Sequence, residues 1–208
     1  RHPDLLDLMA GCGCRSIFIC FETVNPDNLL RCQKRQNRPE TFGQTIHQIH
    51  RRGIMVNASV VFGFDGDGPD VFDATVDWLE HHRVSTMTAH ILTPYPGTRL
   101  HRQLEDDGRI IDRDLRHYNT SRAIFRPVRM SPAELEAGYL RAYRRFYSFA
   151  SIWRRRPLAP AQRMAHFEFN LLYRKFGAAT SRLGLAFGMR PLARLARALA
   201  YPSGRSCD

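Results

Sequence analysis

Glu22 is the residue whose type and position most invite chemistry. It follows directly on the apolar run Ile17-Phe18-Ile19-Cys20-Phe21. A carboxylate inside a core is costly unless paired. At the end of a strand that opens on a pocket it can accept hydrogen bonds from hydroxyl or ammonium groups. A loop glutamate in water, or paired with a nearby arginine, would satisfy the same sequence. Asn57 and Ser59 alternate within the run Ile54–Phe64, so their side chains share one face. After that run, Gly63 and Gly66 flank Phe64-Asp65. Two such glycines let a ligand approach the backbone closely, or simply make a strand-to-helix turn. The third segment, Thr93-Pro94-Tyr95-Pro96-Gly97-Thr98, is stiffened by two prolines that fix φ, and Thr98 is placed to cap a helix.

Other chemically capable residues form weaker patterns. Asp65, Asp67 and Asp70 are spaced like calcium ligands, but the bidentate glutamate such a loop needs is missing and Pro69 intrudes. Of the nine histidines only His90, in an apolar run, stands out. The five cysteines, Cys12, Cys14, Cys20, Cys32 and Cys207, match neither a zinc pair nor an iron–sulfur run. They are expected to be buried or half-buried structural thiols, and no metal ligand is assigned. With no secretory signal, a reducing cytoplasmic compartment is the expectation.

The elements that position these residues follow one device, a proline opening a helix and often a glycine closing it. It predicts helices over Pro3–Ala10, from Pro26, over Pro39–Arg52, over Pro69–His82 and from about Thr98 to Asp107. Between them lie Ile17–Phe21, Ile54–Phe64 and Thr86–Leu92, apolar nearly throughout, as in strands buried on both faces of a parallel sheet. The alternation predicts an α/β fold, with its candidate ligand residues at the carboxyl ends of the strands. Ser131-Pro132-Ala133-Glu134 is a capping box. It predicts a helix to about Trp153, stopped by Arg154-Arg155-Arg156-Pro157, with basic helical stretches at about 160–176, 178–187 and 191–200.

Two domains are expected, 1–127 and a basic helical region 128–208. Residues 1–138 carry a net charge near neutrality, −1, while 139–208 carry +12. The tail therefore suits a polyanion. Apolar stripes (Phe167, Leu171, Leu172, Phe176; then Leu192, Leu195, Leu199) flanked by Arg174, Lys175, Arg190, Arg194 and Arg197 favour an anionic membrane surface over nucleic acid. Docking of the same stripes on the body of the protein fits equally well. The opening Arg1-His2-Pro3-Asp4, with no initiator Met, reads as the start of a fragment.

Ala10-Gly11-Cys12-Gly13-Cys14 leading into Ile17–Thr23, Val60–Asp65, Leu92–Thr98, Tyr118-Asn119-Thr120 and Phe125-Arg126-Pro127 together resemble the second half of radical S-adenosylmethionine (SAM) enzymes of the cobalamin-binding type. The resemblance covers about residues 3–153. It implies strands four to six of a partial (β/α)6 TIM-like barrel and, as cofactors, S-adenosylmethionine, a four-iron four-sulfur cluster and cobalamin. The cluster's three-cysteine motif is absent from this chain. The same resemblance assigns Glu22 to SAM and implies that the turns at Gly63 and at Thr93-Pro94-Tyr95 border SAM or substrate; Asn57 and Ser59, from their shared face on the strand, are expected to join them in binding the cofactor. Cys20 stands where the family usually has Gly, and Thr23 where it has Ser. The implied activity is reductive cleavage of SAM, with methylation or C–C or C–N bond formation on a small-molecule or lipid-like substrate. The upstream half of the enzyme is the implied partner, and the location cytoplasmic or at the inner membrane face. The competing expectation is a non-catalytic barrel remnant presenting its basic tail to membrane or nucleic acid.

Overall fold

The computed structural model describes residues 3–31 and 39–187. Helix α1 (Pro3–Gly11) leads to strand β1 (Ser16–Glu22), then α2 (Pro26–Arg31), α3 (Pro39–Arg51), β2 (Met55–Phe62), α4 (Val71–His81) and β3 (Thr86–Ile91). After these come α5 (Arg99–Asp106), a 3-10 turn at Leu115–His117, α6 (Pro132–Phe146), α7 (Phe149–Arg154) and α8 (Pro160–Phe187). The strands form one parallel sheet in the order β1-β2-β3. The α/β expectation therefore holds, with each expected strand placed to within two residues.

Alternation decides the faces. Val56, Ala58 and Val60 of β2 and Met87, Ala89 and Ile91 of β3 point into the core, each 2% exposed or less. Phe42, Ile46 and Ile49 of α3 and Phe72, Val76 and Leu79 of α4 cover them. Phe21, Phe42 and Trp78 meet edge to face, with ring centroids 4.8 to 6.1 Å apart. Leu135, Ala142 and Phe146 of α6, and Tyr147 just after it, belong to this same core, so the chain after residue 127 begins as part of the sheet's packing.

The differences from the expected elements have local causes. The fourth helix starts at Val71 rather than Pro69, because Val71 N–H bonds the Gly68 carbonyl in a preceding turn. The long helix expected from Ser131 ends at Phe146. The capping box is present as expected, but Ser148 takes an extended conformation and its hydroxyl accepts from Ser151 N–H, starting α7 afresh. Conversely, α8 runs unbroken from Pro160 to Phe187 through Gly177 and Gly184, because each internal glycine costs a helix only about 1 kcal/mol. The thiols are less buried than expected: Cys12 and Cys20 are exposed and Cys14 is half-buried. Cys32 and Cys207 lie outside the described residues.

The outer edge of β3 is closed by side chains. The Tyr147 hydroxyl donates to the Met87 carbonyl (2.8 Å) and accepts from Met87 N–H (3.1 Å). Tyr143 does the same for Ala89 (3.1 and 2.8 Å). The next outward N–H, at Ile91, donates to the Thr120 carbonyl at 2.7 Å. At the amino ends of the strands sits Arg155, fully buried. Its guanidinium donates to the Val84, Ser85 and Phe146 carbonyls at 2.7 to 2.8 Å, and to Asn170 Oδ1 and Ser151 Oγ at 3.2 Å. It lies over the Phe146 ring at 3.5 Å. Burial lowers its pKa to about 10. His166 and Asn170 are buried too, and Asn170 donates to the Ser85 carbonyl, so this face of α8 is docked under the sheet.

Candidate functional site

The second face of the sheet is the polar one. Register aligns Phe18, Asn57 and Thr86 in one row and Cys20, Ser59 and Thr88 in the next. Toward the carboxyl ends follow Glu22 and, opposite Val61, His90. Phe18 is 55% exposed and Cys20 is exposed, while Ser59 between its neighbours is buried. A parallel sheet with helices on one face and hydroxyl, thiol, amide and imidazole groups on the other presents hydrogen-bonding groups to whatever lies there.

Glu22 sits where β1 departs from regular pairing. The register slips between Cys20 and Glu22, which keeps Phe21 in the core. Glu22 itself takes φ 65°. Left-handed backbone at a non-glycine residue is uncommon and, where it persists, clusters at functional positions. Glu22 is near enough to His90 for its carboxylate to pull the imidazole pKa up, although burial wins and holds His90 below its usual value. His90 Nδ1 lies 3.1 Å from Thr120 Oγ1, and Thr120 is also left-handed, at φ 63°. Glu22 and His90 are thus brought to one end of the polar face, with Ser59 in the row before them.

The other expected site residues are placed differently. Asn57 is on this face but lower, lining a 140 Å³ cavity with Thr86, Tyr147, Asn170 and Tyr173. Its Oδ1 is buried without a hydrogen-bond partner. Gly63 has φ 104°, and a Cβ there would lie 3.0 Å from Leu135 Cδ2 and 3.4 Å from Phe125 Cζ. The close approach that its glycine permits is made by the protein's own side chains. Its N–H, with that of Phe64, donates to Asp67, whose other oxygen accepts from Asn28 (2.6 Å). Asp67 is therefore spent on shaping the turn, and burial pushes its pKa up to about 6 against the pull of those three donors. Asp65 pairs with Arg109 at 2.8 Å. Thr93 donates its hydroxyl to the Ile91 carbonyl, Pro94 is buried, and Thr98 caps α5 by accepting from His101 N–H. The proline-rich segment thus shapes the rim beyond β3. Thr88 escaped the sequence reading, as did the role of the tyrosines along α6 and at its end. Tyr139, Tyr143 and Tyr147 recur at intervals of four, which marks one helix face but not what the hydroxyls meet.

No group of three or more His, Cys, Asp or Glu among the described residues is arranged to hold a metal ion. An iron–sulfur cluster does not fit these residues. An organic ligand with donors of its own does fit them. Asn57 Oδ1 offers a buried, unsatisfied acceptor, and Glu22 brings a carboxylate to the strand end.

Parallel α/β architecture with polar strand ends defines the class of proteins that bind ligands outside the carboxyl ends of their strands. Comparison with known proteins narrows it. A family described as "Domain of unknown function (DUF4070)" matches residues 98–170, from the cap of α5 into α8. The bacteriochlorophyllide d C-12(1)-methyltransferase of Chlorobaculum tepidum is 29% identical over 155 residues, covering 74% of this chain and 34% of that protein. The hopanoid C-2 methylase of Rhodopseudomonas palustris is 27% identical over 119 residues, 57% of this chain and 23% of that protein. An uncharacterized methyltransferase of Synechocystis is 29% identical over 127 residues, 61% of this chain and 24% of its own length. These findings bear out the resemblance to cobalamin-type radical SAM enzymes read from the motifs: the proteins to which this chain is similar are named as methyl-transferring enzymes. The chain spans about a third of the length of the first of these relatives, and less of the others.

Proposed function

We propose that this chain is the SAM- and substrate-facing C-terminal part of a methyl-transferring radical SAM enzyme, its sheet being strands four to six of a partial (β/α)6 barrel. Reductive cleavage of SAM at a four-iron four-sulfur cluster belongs to this reading, with the cluster's ligands supplied from outside the described residues. Cobalamin use is inferred from the relatives. The substrate is proposed to be a small or lipid-like molecule, by analogy with the hydrophobic products named for two of them.

The observation that carries the reading is Glu22, a carboxylate at the carboxyl end of β1, held at φ 65° beside His90. Its oxygens would accept hydrogen bonds from the hydroxyl or ammonium groups of SAM. Ser59 and Thr88 would offer hydroxyls further into the same face. Calorimetry of SAM binding to the intact protein tests it. Glu22→Gln should weaken binding about tenfold or more, the loss of one charge-assisted hydrogen bond, and leave the melting temperature in place. Unchanged affinity would return Glu22 to a loop role.

No helix among the described residues is long and apolar enough to cross a membrane. We propose peripheral contact with an anionic bilayer through α7, α8 and the basic residues after them. Leu171 and Leu172 are exposed, as the stripe reading expects, and Phe167 packs on Trp153. Phe149 and Trp153 are 64% and 60% exposed, with Arg174 over the first ring and Arg156 over the second. The side chains of Lys175 and Phe176, and the later stripe at Leu192, Leu195 and Leu199 with its arginines, lie outside the described residues. Vesicle sedimentation checks the proposal. Phe149→Ser with Trp153→Ser should reduce pelleting on anionic vesicles, and undiminished pelleting would refute this face as the contact.

A further inference from the structure

A cavity of 410 Å³ lies at the opposite end of the sheet from Glu22. It opens between the carboxyl-terminal ends of α3 and α4, against the connection from α7 to α8. Beside the neutral Ser85 and Gln162, every titratable group that lines it is basic. His47, His50 and Arg51 come from α3, His81, His82 and Arg83 from the end of α4, and no aspartate or glutamate lines it. The nearest carboxylate in sequence, Glu80, is held by Arg154 at 2.9 Å.

We infer that this cavity is a binding site for a phosphate-bearing anion, held by Arg51, Arg83 and the surrounding imidazoles. Neither the family resemblance nor methyl transfer requires such a site, and it stands at the far end of the strands from the proposed chemistry.

Two helix carboxyl termini converge here, and their partial negative charge ordinarily repels an anion. That repulsion is muted because the last-turn carbonyls are already engaged. Gly53 N–H bonds the His50 carbonyl, and Arg52 and Ile54 both bond that of Ile49. His82, Arg83 and Val84 bond the carbonyls of Trp78, Glu80 and Leu79, and Gln162 donates to the Gly53 carbonyl. The cationic groups, in contrast, are only partly engaged. Arg83 gives one N–H to the Arg156 carbonyl, and Arg51 makes no side-chain hydrogen bond or ion pair among the described residues. His50 is half-buried, and its pKa is held down to about 4 by burial and by the charges of His47, Arg83 and His82. An anion among these groups would relieve that mutual repulsion, and an arginine pair with imidazole donors suits phosphate oxygens.

At the rim stands Leu158, 73% exposed. A phosphate could therefore arrive free in solution or as a lipid headgroup whose chains lie beside Leu158. The experiment separates the two. Calorimetry of the full chain with inorganic phosphate and with glycerol 3-phosphate measures the free anion. Sedimentation with phosphatidylglycerol vesicles, against phosphatidylcholine alone, measures the headgroup. The expected result is saturable binding in at least one arm, weakened about tenfold by Arg51→Glu. A phosphate-induced rise in the His50 pKa, followed by its imidazole proton signals, is expected in the same arm. His47→Gln, at an exposed position, serves as the milder variant if Arg51→Glu perturbs folding. Binding in the calorimetric arm alone assigns the site to soluble phosphates, and Arg51-dependent binding to vesicles alone assigns it to lipid. No saturable binding in either arm, or binding indifferent to both substitutions, overturns the inference.

Discussion

Replacing Arg155 by methionine should destabilise the fold by about 4 kcal/mol, and the figure follows from two opposing effects. The fold holds the guanidinium below its ordinary pKa of 12.5, at about 10, through burial. That displacement corresponds to roughly 3 kcal/mol of unfavourable desolvation that a neutral side chain would not carry. Against it stand three short bonds, to the Val84, Ser85 and Phe146 carbonyls. Hydrogen bonds to a charged group contribute about 1.5–3 kcal/mol each, so losing three costs about 4.5–9 kcal/mol. The Ser85 carbonyl keeps a bond from Asn170, but those of Val84 and Phe146 lose their guanidinium donor. The difference, about 2–6 kcal/mol, falls in the range seen when one partner of a buried charged contact is removed. For a chain of this length each kcal/mol moves the melting temperature by about 2–4 °C, so thermal melts followed by circular dichroism should show a fall of roughly 8–16 °C. Hydrogen exchange should locate the loosening at α8 around Asn170. Lysine should not rescue, since a compact ammonium cannot reach carbonyls on both the strand start and the end of α6. A methionine variant melting within a degree or two of the parent would refute the claim that Arg155 anchors this end of the sheet.

Tyr147→Phe leaves both polar groups of Met87 without partners and should cost about 2 kcal/mol in denaturant melts, with faster amide exchange at Met87. Gly63→Ala forces an L residue to φ 104° against Leu135, and should lower stability by about 2 kcal/mol; an unchanged midpoint would contradict the strain. Asp67 makes a pH-dependent contribution. Its folded pKa of about 6 exceeds the ordinary 3.8, so between these values the folded state keeps a proton that the unfolded state releases. Stability from this group is thus highest below about 4, falls as pH rises to about 6, and changes by roughly 3 kcal/mol over that window. Urea melts across this range should show the slope in the parent and its loss in Asp67→Asn.

The sheet and the helices behind it were legible because Pro and Gly punctuate them and the strands are apolar almost throughout. Glu22 was legible for the same reason, a charge abutting such a run. The left-handed backbone that sets it apart was not, because a one-residue slip in register leaves no mark in composition. Gly63 read either as access for a ligand or as a strand-to-helix turn, since the sequence shows that a side chain is missing but not that Leu135 lies against the space. Arg155 stands between two other arginines, and only tertiary packing separates a buried anchor from its exposed neighbour Arg154. The pause at Ser148 was hidden by aromatic residues that continue on both sides of it.

The tyrosine closure of β3 works like a vernier. Four residues of helix rise about 6 Å, and two residues of parallel strand rise about 6.6 Å, so successive phenols and successive outward backbone groups drift apart by roughly half an ångström per rung. Two rungs tolerate that drift, at Tyr143 with Ala89 and Tyr147 with Met87. The third outward N–H, at Ile91, is served instead by the Thr120 carbonyl, while Tyr139 turns its ring toward Tyr143. The helix thereby gauges the strand. An insertion or deletion of one residue between Tyr143 and Tyr147 would swing one phenol about 100° around the helix axis and unlatch it. That interval should be among the least tolerant of length change in the chain.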